Sequence, residues 1–158
     1  MFKFISTGVI LFLAACNHQS DNSNRLQQQI DSLKNKLNKT YKPGLGEFMT
    51  EIQLHHAKLW FAGKNANWEL ANFEMGEIRE SIDAIQQYCT DRPEIRELPM
   101  INPPLDSLKM AITGRNKILF NSSFILLTNT CNNCHQVTKH GFNIIRIPDT
   151  PPVTNQVF

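Results

Sequence analysis

The 158-residue chain carries 16 Lys and Arg against 14 Asp and Glu, for a formal charge of +2. So even a balance, without any long run of Lys or Arg, excludes a nucleic-acid-binding protein. The length suits one domain once an N-terminal export signal is set aside.

That signal occupies residues 1–15. Lys3 supplies the positive start and residues 4–13 an apolar run, too short to span a bilayer. The sequence Leu13-Ala14-Ala15-Cys16 resembles the lipobox of bacterial lipoproteins, which implies cleavage before Cys16 and a lipid attached to it. An ordinary secretory signal is the alternative, and it too exports the chain. The expected location is the envelope of a bacterium, lipid-anchored to a membrane and facing the periplasm or the exterior.

Residues 17–24 are polar and aperiodic, as expected of a flexible tether. Leu26, Ile30, Leu33 and Leu37 then follow the four-three-four spacing of a coiled-coil seam under two heptads long. It could serve as a spacer, pack on the domain, or pair with a second copy into a homodimer. Lys42-Pro43-Gly44 ends it, so residues 16–42 read as tether and coiled-coil-like helix, and 43–158 as the folded domain.

Four helices are expected in that domain. Phe48, Met49, Ile52, His56, Leu59 and Trp60 keep helical spacing up to Gly63. A second helix, capped by Asn65 or Asn67, buries Leu70, Phe73, Ile78, Ile82, Ile85 and Cys89. Pro93, Pro99, Pro103 and Pro104 predict a loop, followed by a short third helix through Leu105, Leu108 and Ile112 to Gly114. The fourth carries Ile118, Leu119, Phe124, Ile125, Leu126 and Leu127 directly into Cys131-Asn132-Asn133-Cys134-His135. With no alternating strand pattern, the expected fold is all-α: an up-down-up-down four-helix bundle with an extended C-terminal tail. Phe142, Ile144, Ile145 and Ile147 make that tail too apolar for a free end, so it should fold back over the bundle.

Cys-x-x-Cys-His is the pattern that holds a covalent haem c, one group here: two thiols for the two vinyl positions, and an imidazole to ligate the iron. Cys131 and Cys134 are the attachment residues and His135 the proximal ligand. A thioredoxin-like dithiol would need a strand and turn before its helix, and a zinc site a further ligand where only His140 is near. With Cys16 lipidated, Cys89 is left unpaired and reads as a buried small hydrophobe.

Gly114-Arg115, the apolar helix through Leu127 and the motif near the C-terminus resemble the cytochrome c′ group, four-helix bundles whose last helix ends in the haem-binding sequence. The short third helix and the 23 residues beyond His135 depart from it.

The sixth iron ligand then separates electron transfer from gas binding. In an up-down-up-down bundle the start of the first helix lies beside the end of the last, which brings Met49 level with His135. His56, seven residues on, lies roughly 10 Å deeper at about 1.5 Å per residue. Low-spin relatives of the group carry a methionine ligand in the first helix, and the resemblance implies that role for Met49; core packing is the other role a methionine takes there. Met75 and His140 are weaker candidates. The expectation is a membrane-anchored monohaem electron carrier, not an enzyme, which exchanges electrons with partner proteins. The alternative is a binder of nitric oxide or carbon monoxide with an open sixth site. An interaction lipoprotein built on the coiled-coil segment is a third reading, for which the haem motif would be incidental.

Overall fold

The computed structural model describes residues 8–40 and 43–158, with the backbone alone for 8–21 and 38. The first seven residues of the expected signal and the side chains of Leu13 to Cys16, the lipidation site included, lie outside the described residues. The chain divides into two compact units, Met1–Lys42 and Pro43–Phe158. Among the described residues there are five α-helices, one 3-10 helix and no strand, so the fold is all-α.

Among the described residues the first unit forms one helix, α1, Gly8–Asn38. The helix runs through residues 17–24, where a flexible tether is expected. Between Gly8 and Pro43 there is no glycine or proline to interrupt it, and side-chain pairs one turn apart support it, Arg25 Nη2 to Asn22 Oδ1 at 3.1 Å and Gln27 Nε2 to Asp31 Oδ1 at 3.0 Å. Leu26, Ile30, Leu33 and Leu37 are all exposed.

The second unit contains α2 (Leu45–Lys64), α3 (Trp68–Tyr88), a 3-10 helix (Pro93–Ile101), α4 (Asn102–Thr113) and α5 (Lys117–Val137). α2 packs along α3 and α4 along α5; α3 meets α4, α2 meets α5, and the 3-10 helix lies mainly on α5. Leu59, Ile78, Ile85, Leu105, Leu108, Phe120, Phe124 and Leu127 fill the centre. Trp60 packs at a tilt on Phe124 at 4.9 Å between ring centres, and Trp68 meets Phe120 edge-on at 6.0 Å. Phe73, expected in the core, is 56% exposed, because the buried stripe of α3 runs through Ala71, Met75, Ile78, Ile82 and Ile85. α2 ends at Lys64 with Asn65 as its C-cap, one residue past Gly63, and the Phe120 ring sits where the Cβ of that glycine would be.

The proline-rich stretch forms helix where a loop is expected. Pro93 opens the 3-10 helix, and Pro103 and Pro104 lie in the first turn of α4, where a missing N–H leaves nothing unsatisfied. Asn67 and Asn116 cap α3 and α5 by accepting from the amides of Leu70 and Leu119. Three helices end alike, each with a left-handed residue that is not glycine: Ala66 at φ 61°, Arg115 at 50° and Lys139 at 65°. At each, the following amide reaches back six residues inclusive: Asn67 to the Ala62 carbonyl, Asn116 to that of Ala111, and His140 to that of His135 at 2.6 Å. The last of these turns reverses the chain, so that the tail runs back along α5.

Candidate cofactor site

α5 delivers the motif. Its final turns carry Cys131, half-buried and packed on the core, then Cys134 and His135. Two cavities, of about 290 and about 50 Å³, meet at this point, and five residues line both: Met49, Ile52, Cys131, Cys134 and His135. The smaller is completed by Leu98, Met100 and Ile101. The larger extends to His56, Arg92, Glu94, His140 and Ile145.

The reversed tail fixes the histidine. His135 Nδ1 lies 2.6 Å from the Asn143 carbonyl oxygen. A carbonyl only accepts, so Nδ1 carries a proton; in the neutral ring the lone pair is then on Nε2, the form of imidazole that ligates a metal. Two residues further on the tail is clamped again. Asn132 Nδ2 donates to the Ile145 carbonyl at 2.8 Å, and the Ile145 amide donates to Asn132 Oδ1 at 2.7 Å. Ile145 thereby enters the cavity wall and Ile147 packs on the core, while Phe142 and Ile144 point outward at 83% and 73% exposure. The tail does fold back, with only part of its apolar set turned inward.

Both thiols are free. Burial, with Cys134 adding to it, pushes the Cys131 thiol up to about 12. Cys134 is raised too, by burial first and then by the carboxylates of Glu97 and Glu94. A thioredoxin-type dithiol needs the opposite: a thiol of lowered pKa, commonly at a helix N-terminus. These lie in the last turns of α5, where the helix dipole disfavours a thiolate.

Met49, half-buried on the second turn of α2, lines both cavities together with His135. His56 does reach the wall of the larger cavity, contrary to the depth expected, but it is committed elsewhere. Thr128 Oγ1 donates to the Phe124 carbonyl at 3.0 Å and accepts from His56 Nε2 at 2.9 Å, and the imidazole packs on Phe124 at 4.4 Å between centres. Burial lowers its pKa to about 4, so it is neutral. His55 is held on the α2–α3 seam by Glu74, Nδ1 to Oε2 at 2.7 Å, away from both cavities. Met75 is core, His140 lines the larger cavity, and Cys89 is buried as expected. Among the described residues no three His, Cys, Asp or Glu side chains converge as a metal site.

Met100 escaped the sequence reading because the prolines around it predict a loop, not the 3-10 helix that presents it. The rim of Arg92, Glu94 and His140 also escaped it. Glu94 Oε1 lies 2.8 Å from Arg92 Nη2 and 3.8 Å from His140 Nε2. Burial opposes its charge, yet a backbone hydrogen bond and Arg92 hold its carboxyl below the usual range. Of the remaining cations, Arg146 pairs with Asp149 at 3.4 Å.

The residues present fit a covalently held haem: two unoxidised thiols, an imidazole with Nε2 available, and apolar walls in both cavities, Ile52 among them. Among the described residues no helix is long and apolar enough to cross a membrane. Compared with protein-family models, with curated proteins and with solved structures, the chain finds no match.

Proposed function

We propose that the chain is a membrane-anchored monohaem c-type cytochrome, an electron carrier with an up-down-up-down four-helix bundle like those of the cytochrome c′ group. The observation that carries this reading is the pairing of His135, its Nδ1 proton tied to a carbonyl, with Met49 on the shared wall of both cavities. The short links between α2 and α3 and between α4 and α5, and the ring of contacts α2–α3–α4–α5–α2, support the bundle topology.

Cys131 and Cys134 would hold haem c through thioethers, and His135 and Met49 would supply nitrogen and sulphur donors to its iron. The bound group supplies a one-electron Fe(III)/Fe(II) couple. The chain's own contribution is to orient His135 and to surround the site with apolar side chains, Ile52, Leu98 and Ile145, which keep water out and favour the less charged ferrous state. The protein is read as a carrier and not as an enzyme. Cys16 would bear the lipid, which places the domain at a bacterial envelope membrane within reach of partner redox proteins. The exposed seam of α1 is then available to a second copy.

Expression with the haem-maturation machinery tests this. The reading requires covalent haem with a low-spin ferric spectrum and a methionine-sulphur charge-transfer band that disappears in Met49→Ala. A high-spin haem that binds carbon monoxide without losing a ligand would favour the gas-binding alternative. No covalent haem at all would remove both.

A further inference from the structure

The segment after α5 does more than cover the cavity. It supplies the acceptor that sets the protonation of the histidine, and it is fastened by a side chain from inside the Cys-x-x-Cys sequence. Resting on the haem reading above, we propose that residues 140–145 form a strap with Asn132 as its fastening. Asn132 holds the Asn143 carbonyl against His135 Nδ1 and so controls the tautomer and donor strength of the axial imidazole.

Three observations carry this. The Asn132 carboxamide satisfies both the amide and the carbonyl of Ile145, at 2.7 and 2.8 Å, and this two-point bond fixes the height and rotation of the strap on α5. The turn at Lys139 is closed by the bond from the His140 amide to the His135 carbonyl at 2.6 Å, and Asn143 N–H reaches the His140 carbonyl at 2.8 Å. Between these two fixed points the Asn143 carbonyl has little freedom and meets Nδ1 at 2.6 Å. Neither Phe142 nor Ile144 holds the strap down, since both project into solvent. Asn132 is therefore a positioning residue that acts through backbone on the atom opposite the iron-binding nitrogen.

A hydrogen bond from Nδ1 to an acceptor raises the basicity of the ring, and the more basic donor favours ferric over ferrous iron. Releasing the strap should raise the midpoint potential. A tenfold loss in the preference of the imidazole for ferric iron corresponds to about 59 mV for one electron. A strap that merely shields the site gives the opposite sign, because letting water in favours the ferric state.

The test compares the wild-type holoprotein with Asn132→Ala and with Asn133→Ala, an exposed neighbour inside the same motif. Asn132→Ala should keep its thioether-bound haem and shift the potential upward by about 59 mV for a tenfold effect, while Asn133→Ala leaves it unchanged. An unchanged or lowered potential in Asn132→Ala overturns the proposal. Should Asn132→Ala not fold, the neutral Asn132→Ser, too short to hold both Ile145 groups, should shift the potential upward in the same way. Nitrogen NMR of His135 in the haem-free chain separates the two readings. The Nδ1–H tautomer should dominate in the wild type and be lost in Asn132→Ala, and its persistence overturns the strap whether or not haem attaches. Failure of the wild type to attach haem counts against the function alone.

Discussion

His56 shows how a single buried side chain makes stability depend on pH. Its imidazole is 4% exposed, and burial lowers its pKa from 6.5 to about 4. The folded chain therefore binds this proton less readily than the unfolded chain. The contribution of His56 is fully present above pH 6.5 and is lost as the pH falls towards 4, by about 3 kcal/mol at 1.36 kcal/mol per unit. Urea unfolding between pH 7 and 4 should show that decline, and His56→Gln, which keeps a donor for Thr128, should flatten it. Gly63 affects stability through packing instead. A Cβ added there would overlap the Phe120 ring, which is fully buried and packed against Trp60, Trp68 and Phe124. Gly63→Ala should therefore destabilise the domain by about 1–3 kcal/mol, measured by the same titration. Gly63→Ala at wild-type stability would show that the Phe120 ring can move aside.

At the scale of the elements, the helix ends carry removable strain. A left-handed conformation costs an L-residue about 1–2 kcal/mol, and glycine gives back part of that gain through its greater freedom when unfolded. Ala66, at φ 61°, is far from the cofactor site in sequence and should tolerate the change. Ala66→Gly is expected to raise stability by about 0.5–1 kcal/mol in thermal or urea unfolding, and a loss would mean that its methyl packs usefully. These ends also show what the sequence could and could not disclose. Asn67 was legible as a cap because its side chain can accept an amide, whatever tertiary structure surrounds it. Gly114 was read as a stop and does cap α4, and α2 ends one residue past Gly63, yet the left-handed positions fall on Ala66 and Arg115. A glycine that makes room for a ring looks the same in sequence as one that ends a helix. The prolines misled for a related reason, since a proline forbids the middle of an α-helix but suits the first turn of α4.

For the whole molecule, the convergence of Cys131, Cys134 and His135 was legible because they share the last turns of α5, and that of Met49 because the start of α2 lies beside that end on the same cavities. The strap was not legible. Its register on α5 depends on a left-handed turn at Lys139 and on a side-chain-to-backbone clamp at Asn132, and neither leaves a periodic trace. The division of labour along the chain can be tested directly. Among the described residues the core cluster draws only on positions from Leu45 to Ile147, and the apolar side chains of α1 from Leu26 to Leu37 stand exposed. Removing residues 1–42 therefore deletes none of the described core residues. The remaining chain, 43–158, should melt at the temperature of the exported full-length protein, followed by circular dichroism at 222 nm. A single substituted core residue, by contrast, typically shifts the midpoint of a domain this size by several degrees for each kcal/mol. A drop of that size on deleting 1–42 would mean that the seam of α1 is a structural part of the domain and not a spacer, and would withdraw it as a surface for a second copy.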